Sequence, residues 1–227
     1  MSYFPMFIDL EGRRCLIVGG GKVALRKAEA LREFGSRLTV VAPRILLQLK
    51  QMRGVAWAEK RFEAQDLAGQ DLVVAATDDK EENHRIAKLC RERKIPVNAV
   101  DQTEDCDFIF PAYLKQGEVV AAFSSGGQSP VTAQHLKEGI RPMMTPLLGE
   151  LSSCLGSLRE RVMGCVDTQE GRKRLYQELL ALALEEERIP SKEEIEEALH
   201  RHGKAGSAER ERARTKKEEG AAADMRI

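Results

Sequence analysis

Three consecutive glycines separate a short apolar run from a helical pattern near the start of the chain. Residues 14–18 are mostly apolar, and residues 23–34 repeat apolar side chains at intervals of three and four. Gly19, Gly21 and Ala24 give the spacing G-x-G-x-x-A at this junction. Gly19 permits a tight turn, and because Gly21 lacks a side chain, a pyrophosphate can approach the backbone at the helix N-terminus. The junction predicts the first β–α turn of a dinucleotide-binding sheet, although a glycine-rich turn without a ligand has the same pattern.

Apolar strands and amphipathic helices alternate through the first hundred residues. Further strands are predicted at residues 38–41, 55–58, 72–76 and 96–100, and helices at 45–52 and 80–94. The run at 72–76 is apolar throughout, which is typical of a central strand that is covered on both faces. Alternation of this kind predicts an α/β fold, a doubly wound parallel Rossmann sheet with right-handed crossovers.

The pattern changes after the fifth predicted strand. Apolar runs at 108–112 and 119–123 predict a β-hairpin. A polar loop follows, and its last two residues, Ser129 and Pro130, are a favourable helix start. The last predicted helix opens with a capping box at Ser191. The later helices are predicted at residues 144–162, 169–186 and 191–202.

These patterns predict four regions. Residues 1–112 form an NAD-binding Rossmann domain, and residues 113–145 form a small α+β segment with the hairpin and a helix. Residues 146–203 form a helical domain. Residues 204–227 are charged, rich in alanine and nearly free of large apolar side chains, so we expect this tail to be disordered.

Composition argues against several functional classes. Lys and Arg together number 36, as do Asp and Glu, so the balanced charge gives no support for a general nucleic-acid or membrane-surface role. No apolar run approaches the roughly 20 residues that span a bilayer, and the N-terminus lacks the charged region of a signal peptide. The cysteines contain no CxxC pair, and no spacing of His, Cys and carboxylates indicates a metal site. We therefore expect a cytoplasmic protein with reduced cysteines, of which Cys15 and Cys90 are buried.

The end of the second predicted strand leaves the choice between NAD and NADP open. An acidic residue that contacts the adenosine ribose is usual there, but this chain has Ala42, Pro43 and Arg44. Arg44 suits the 2′-phosphate of NADP, whereas an arginine at a helix start is more often an ordinary surface residue. We expect NAD as the cofactor, with NADP as the alternative.

Six segments of the first 140 residues carry a resemblance to known proteins. They are residues 4–7, the glycine turn at 18–27, residues 75–79 with Asn83, and residues 98–101, 108–112 and 124–130. In this order they resemble the precorrin-2 dehydrogenase family, which includes the N-terminal part of bacterial sirohaem synthase, free-standing bacterial proteins and the yeast dehydrogenase/ferrochelatase. After about residue 145 the resemblance is loose, and the tail shows none. Because no methyltransferase domain follows, the chain resembles the stand-alone type.

The resemblance implies NAD-dependent oxidation of precorrin-2, a tetrapyrrole with many carboxylates, to sirohydrochlorin on the route to sirohaem. Some family members also insert Fe²⁺ into sirohydrochlorin, and the sequence leaves this ferrochelatase activity open. The family forms homodimers through the region that corresponds to residues 113–145, and an apolar hairpin with little to cover it agrees. The resemblance places the key aspartate of the family at Asp101, as a general base or an orienter of the pyrrole nitrogens. A local turn bond is the structural alternative.

The other expected site residues form two groups. Cofactor contacts are expected from Gly19, Gly20, Gly21, Lys22, Val23, Ala42, Pro43, Thr77, Asp78 and Asn98. Substrate carboxylates are expected on the backbone N–H groups of Ser124, Ser125, Gly126 and Gly127. Each group has a structural alternative, since Thr77 and Asp78 could cap a helix, Asn98 could close its strand, and the polar loop could be a glycine-rich connector. Asp105 and Asp107 lie close to Asp101, where they could add metal affinity, but loop carboxylates are usually solvated and we expect this for both. Weaker candidates for carboxylate binding are Lys137, Arg141, Arg159 and Arg161.

Three other functions fit parts of the pattern. A Rossmann domain can bind NAD as a sensor or regulatory module without catalysis, which requires neither Asp101 nor the loop at 124–130. An NAD-dependent dehydrogenase of a small hydroxy acid is disfavoured because the second half shows no catalytic histidine. A ferrochelatase that uses the same pocket without dehydrogenation is the third alternative.

Overall fold

The computed structural model describes residues 3–203, which divide into two compact units. The first unit comprises residues 3–110 with Gly126–Ser129, and the second comprises Pro111–Ser125 with residues 130–203. Most of the predicted α+β segment and the whole predicted helical domain therefore lie in the second unit. The tail that we expected to be disordered lies outside the described residues. No helix within the described range has the length and apolar character needed to cross a bilayer.

Five parallel strands form the sheet of the first unit. They are β1 (Arg14–Val18), β2 (Arg37–Ala42), β3 (Val55–Glu59), β4 (Leu72–Ala75) and β5 (Val97–Ala99). Their spatial order is β3-β2-β1-β4-β5, and every pairing is parallel. This order confirms the predicted doubly wound Rossmann sheet. The order reverses between β1 and β4, and in such sheets the ligand crevice lies beyond the carboxyl ends of the strands at this point.

Helices pack on both faces of the sheet. They are α1 (Lys22–Glu33), α2 (Leu47–Gln51) and α3 (Lys80–Glu92). Successive strand residues point to opposite faces, so Cys15 joins Ala28 of α1 in one core cluster, whereas Leu16 joins Ile86 and Cys90 of α3 in the other. All four residues of β4 are buried, as expected for a central strand. Both Cys15 and Cys90 are fully buried, as predicted.

The second unit contains a β-hairpin followed by helices. Its elements are β6 (Ala112–Gln116), β7 (Val119–Phe123), α4 (Pro130–Ile140), α5 (Pro146–Ser157), α6 (Arg159–Cys165), α7 (Gln169–Glu185) and α8 (Lys192–His202). The core between the last three helices includes Val162, Leu179 and Leu199. The hydroxyl of Ser191 accepts a hydrogen bond from the Glu194 N–H, and the Glu194 carboxylate accepts one from the Ser191 N–H at 2.6 Å. The predicted capping box is therefore confirmed.

The first strand of the hairpin was predicted in the wrong place, since β6 begins at Ala112 rather than at residue 108. Phe108 and Phe110 pack against the core of the first unit instead of forming a strand. The side-chain Nδ2 of Asn98 donates to the Phe108 carbonyl oxygen at 2.9 Å. In a strand, this carbonyl oxygen would instead bond to the backbone of a neighbouring strand. The tight turn falls at Gly117, whose φ of 57° favours glycine.

The single helix predicted at 144–162 is two helices, α5 and α6, that meet at Leu158. The Leu158 N–H bonds to the Leu155 carbonyl at 3.2 Å, and a contact to the third preceding residue tightens and ends α5. Gly156, two residues earlier, weakens the helical preference there. Leu158 itself is buried in the core of the second unit, so packing sets the bend. The apolar spacing continues across the bend, and the sequence pattern does not reveal it.

Candidate functional site

The glycine turn follows β1 at the point where the strand order reverses. Gly19 has a φ of 133°, and a Cβ on it would lie 2.1 Å from the Ala76 carbonyl oxygen, just after β4. A Cβ on Gly20 would lie 2.0 Å from the Arg44 carbonyl oxygen, in the segment after β2. Close backbone approach within the first unit therefore requires both glycines, whether or not a ligand binds.

Gly21 differs from its two neighbours, because no atom lies within 4 Å of the position that its Cβ would take. It is also the N-cap of α1, where it makes no side-chain cap, and the first turn of α1 carries no acidic residue. The helix N-terminus thus presents its N–H groups and the positive end of its dipole to open space. A pyrophosphate fits this cradle, which brings the predicted cofactor residues Gly21, Lys22 and Val23 together.

A buried asparagine holds the segment after β4. Asn83 of α3 is 2% exposed, and its Oδ1 lies 2.7 Å from the Thr77 hydroxyl and accepts from the Thr77 N–H at 3.1 Å. The Asn83 Nδ2 donates back to the Thr77 carbonyl at 3.2 Å. The helix cap is Asp79, which accepts from two N–H groups of α3, and not the Thr77-Asp78 pair that the sequence suggested as the alternative. Thr77 is therefore fixed at the edge of the sheet, and the exposed Asp78 follows it.

Asp101 follows β5 in a left-handed backbone conformation, with a φ of 60°. Its carboxylate is exposed, and the preceding Val100 N–H donates to the Ala75 carbonyl at 2.9 Å, which keeps the loop beside the end of β4. Asn98 is 7% exposed, and its Nδ2 donates to the Phe108 carbonyl. This hydrogen bond agrees with the alternative that Asn98 closes its strand. A cofactor contact by Asn98 stays a prediction.

Asp105 is buried, and the expectation that it would be solvated is wrong. It is 2% exposed and lies within hydrogen-bond distance of His84 and Arg91 of α3 and of Gln102 in its own loop. Asp107 is exposed, and its Oδ2 accepts from the N–H at the start of β5 at 3.1 Å. Among residues 3–203, no group of three or more His, Cys, Asp and Glu side chains is arranged to hold a metal ion.

Lys27 is a partly buried cation, and we did not predict its burial from the sequence. Its ammonium lies 3.6 Å from the centre of the Phe110 ring. Burial, followed by repulsion from Arg26, lowers the pKa of Lys27 from 10.5 to about 8, and Cys106 and Asp101 partly oppose this change. The helical spacing does indicate this burial, because Lys27 stands four residues before the buried Leu31 and so lies towards the inner face of α1.

The polar loop requires glycine at two positions. Gly126 and Gly127 have φ values of 62° and 83°, and nothing lies within 4 Å of either Cβ position. The required backbone angles agree with the connector alternative. Substrate binding by Ser124, Ser125, Gly126 and Gly127 therefore stays a prediction.

The remaining candidates lie at ordinary positions. Ala42 is buried at the end of β2, and Pro43 is exposed beside it. Arg141 and Arg161 each pair with a glutamate of the second unit at 2.6 Å. These two guanidinium groups are therefore already engaged, which weakens their case as carboxylate ligands.

Comparison with known proteins agrees with the glycine turn. Residues 6–112 match a family model described as "Putative NAD(P)-binding". The strand order and the open cradle at Gly21 agree with this match. Together they define a nucleotide-binding protein of the Rossmann class, with NAD(P) as the cofactor of the first unit.

Two curated relatives and one solved structure narrow the class. "Siroheme synthase" of Thioalkalivibrio sulfidiphilus is 40% identical over 79% of this chain and 37% of its own length. "Siroheme synthase" of Methylococcus capsulatus is 38% identical over 79% of this chain and 39% of its own length. The structure of "SirC, precorrin-2 dehydrogenase" shares the fold, with a TM-score of 0.63 at 22% identity over 88% of this chain and 98% of that one. The chain belongs to the precorrin-2 dehydrogenase and sirohaem synthase N-terminal family, as the resemblance predicted. It spans less than half the length of the curated relatives it matches.

Proposed function

We propose that this chain oxidises precorrin-2 to sirohydrochlorin in sirohaem biosynthesis, with NAD as the hydride acceptor. One observation carries the proposal: the open cradle at Gly21 and the exposed carboxylate of Asp101 both follow strands at the carboxyl edge of one parallel sheet. The names of the relatives, siroheme synthase and precorrin-2 dehydrogenase, support the choice of reaction. A sensor would need the cradle alone.

The first unit supplies the cofactor contacts in this proposal. The N–H groups at the start of α1 hold the pyrophosphate, because the helix end carries partial positive charge and no competing carboxylate. Gly19 and Gly20 shape the turn through their close backbone contacts. The other proposed contacts lie at the start of α1, at or after the ends of strands, or within β5, and they are Lys22, Val23, Ala42, Pro43, Thr77, Asp78 and Asn98.

Bound NAD supplies the hydride acceptor, and the chain must orient the macrocycle and move a proton. We assign the proton to Asp101, whose exposed carboxylate follows β5 beside the end of β4. It acts as a general base or orients the pyrrole nitrogens. The N–H groups of Ser124, Ser125, Gly126 and Gly127 bind substrate carboxylates in this scheme.

We also propose that the chain forms a homodimer through residues 113–145 and works in the cytoplasm. Apolar side chains on α4 support the dimer, since Val131 is 79% exposed and Leu136 is 48% exposed. Val131 and Leu136 are five residues apart, so they lie on different sides of α4 and support a contact separately rather than as one patch. Analytical ultracentrifugation at micromolar concentration would detect the dimer, and a monomer would contradict it.

The activity is tested by an anaerobic assay of the purified protein with precorrin-2 and NAD⁺. We expect NADH to form together with the spectrum of sirohydrochlorin. A parallel reaction with NADP⁺ establishes the cofactor preference, and later addition of Fe²⁺ with a no-enzyme control establishes whether the chain is also a ferrochelatase. A folded protein that binds NAD but forms no NADH with either NAD⁺ or NADP⁺ would contradict the proposal and favour a sensor or a ferrochelatase without dehydrogenase activity.

Gly21→Ala tests the cofactor site. A new methyl group would enter the open cradle without a clash in the protein, so we expect an unchanged Tm and a rise in the KM for NAD of at least about tenfold. Gly164→Ala is the matched control, because its Cβ also meets open space but lies in α6. An unchanged KM in Gly21→Ala would contradict pyrophosphate binding at this turn.

Asp101→Asn tests the proposed base. The amide preserves size and tolerates the same backbone angle but cannot accept a proton, so we expect kcat to fall by about 10²- to 10⁴-fold. The KM for NAD should change little, because the pyrophosphate site is unaltered. Near-normal turnover with both substrates saturating would remove Asp101 from the mechanism.

A further inference from the structure

The loop that carries Asp101 contains a buried carboxylate that the proposed reaction does not use. Asp105 stands four residues after Asp101 and is 2% exposed. A buried carboxylate is stable only if hydrogen bonds and opposite charges replace its water. The groups that surround Asp105 therefore indicate the structural role of this carboxylate.

Three side chains meet the Asp105 carboxylate. The His84 Nδ1 lies 2.8 Å from Oδ2, and the Gln102 Nε2 donates to the same oxygen at 3.2 Å. The Arg91 Nη1 donates to Oδ1 at 3.3 Å. Both oxygens are thus partnered, and the guanidinium supplies the opposite charge.

The same partners attach the loop to α3 at further points. Gln102 also donates to the Lys80 carbonyl at 3.2 Å, and Arg91 donates to the Glu104 carbonyl at 2.8 Å. Lys80, His84 and Arg91 are separated by four and seven residues, so they lie along one face of the helix. The loop is therefore fastened over most of the length of α3.

These contacts surround the unusual backbone of Asp101. Its φ of 60° is uncommon for a residue other than glycine and persists where the surroundings impose it. The Cys106 thiol lies 3.1 Å from the Ala99 carbonyl and 3.3 Å from the Gln102 carbonyl, which closes the loop on itself. The Asp101 side chain is exposed, so the fixed backbone and not side-chain packing sets its direction.

The helix that anchors this loop also anchors the segment after β4. Asn83 holds Thr77, and Asp79 caps the first turn of α3. The Gln102 contact at the Lys80 carbonyl is adjacent to that cap. One helix thus sets both the Thr77 segment and the Asp101 loop at the carboxyl edge of the sheet.

We propose that Asp105, clamped by His84, Arg91 and Gln102, is a positioning residue that sets the carboxylate of Asp101 for proton transfer. This inference rests on the proposed function of Asp101. Asp105 touches neither substrate nor cofactor in this assignment, and it acts only through the loop. A displacement of about 1 Å at a reacting group lowers rates by up to about 100-fold, so the clamp has a measurable kinetic effect.

Asp105→Asn is the first test. The amide removes the charge that pairs with Arg91, and it places an NH₂ group next to the N–H donors of Arg91 and Gln102. The loop should therefore lose these contacts and move. We expect kcat to fall between about 10- and 100-fold, while the KM for NAD stays within about twofold because Gly21 is unaffected. Glu104→Gln is the matched control, since it removes one charge from an exposed side chain of the same loop and should keep kcat within about twofold.

A double-mutant cycle separates positioning from general structural damage. If Asp105 acts through Asp101, Asp105→Asn should cause no further loss of kcat in an Asp101→Asn background, because there is no base left to misplace. If Asp105 only stabilises the fold, the two losses should multiply, and the inference is overturned.

His84→Ala keeps the test valid if Asp105→Asn fails to fold. The His84 side chain is 63% exposed on α3, so its removal should leave the protein folded while one partner of Asp105 is lost. We expect a smaller fall in kcat that also disappears in the Asp101→Asn background. Wild-type kcat in Asp105→Asn, or in His84→Ala if Asp105→Asn does not fold, would refute the inference and leave the proposed function intact. Absence of precorrin-2 oxidation by the wild type would refute the proposed function, and the inference with it.

Discussion

Lys27→Met is expected to stabilise the first unit at pH 7, because the wild-type lysine keeps a charge in a partly buried position. Its ammonium lies 3.6 Å from the centre of the Phe110 ring, and burial lowers its pKa from 10.5 to about 8. Methionine is unbranched and similar in length, so it fills the same space without the charge. Its sulfur also makes favourable contacts with an aromatic ring.

The size of the effect follows from the pKa of Lys27. The difference between 10.5 and about 8 corresponds to ~3 kcal/mol, since one pKa unit is worth about 1.4 kcal/mol. Loss of the cation–π contact with Phe110 offsets about 1 to 2 kcal/mol of this. We therefore expect Lys27→Met to raise the free energy of unfolding by about 1 to 2 kcal/mol at pH 7.

The effect should depend on pH in a defined direction. Below pH 8 the lysine is protonated in both the folded and the unfolded protein, so the full cost of burying the charge is present. Between about pH 8 and 10.5 the folded protein loses this proton first, and the wild type gains stability as the pH rises. The advantage of Lys27→Met should therefore shrink across this window.

Urea unfolding measures this difference, with the fluorescence of Trp57 as a probe because it is the single tryptophan and lies in β3 of the first unit. Wild type, Lys27→Met and the control Lys88→Met, an exposed lysine of α3, are compared at pH 7 and pH 10. Other groups that titrate at pH 10 are common to all three proteins and cancel in the differences. Equal or lower stability of Lys27→Met at pH 7, or an equal advantage at both pH values, would refute the reasoning.

Three further predictions concern stability and reactivity. Gly20→Ala should lower Tm by several degrees, because its Cβ would lie 2.0 Å from the Arg44 carbonyl oxygen. Thermal unfolding measures this, and a Tm equal to that of Gly164→Ala would contradict the prediction. Ser191→Ala should destabilise α8 by about 1 kcal/mol through loss of its capping box, measured as faster amide exchange in that helix, and unchanged exchange would count against the cap. Burial raises the pKa of Cys90 to about 12, so iodoacetamide at pH 8 should label the exposed Cys165 and leave Cys90 unmodified. Mass spectrometry detects the labelled residues, and rapid labelling of Cys90 would argue against its burial.

The fold of the first unit follows closely from local patterns. The glycine turn, the fully apolar run of β4 and the alternation of strands with helices each predict the same parallel sheet, and the structure confirms its order. Periodicity works here because the central strands are apolar on both covered faces, whereas each helix buries one apolar face against the sheet. The capping box at Ser191 was equally predictable, since all its atoms come from four successive residues.

The second unit was harder to predict where packing competes with local preference. Residues 108–112 have the apolar character of a strand, but Phe108 and Phe110 are taken up by the core of the first unit. The bend at Leu158 likewise interrupts an apolar spacing that continues through it. In both cases a partner distant in sequence decides which of two locally acceptable structures forms.

The sequence by itself determined the Rossmann sheet, the position of the glycine turn and the placing of Asp101 after the fifth strand, because each depends on neighbouring residues along the chain. Only the tertiary structure decided that Gly21 opens onto free space while Gly19 and Gly20 meet backbone, since those contacts come from the segments after β4 and β2. Tertiary structure also decided that Asp105 is buried and that Lys27 is partly desolvated. Whether a charged side chain is solvated depends on groups that approach from separate elements, and no local pattern of residues records their distance.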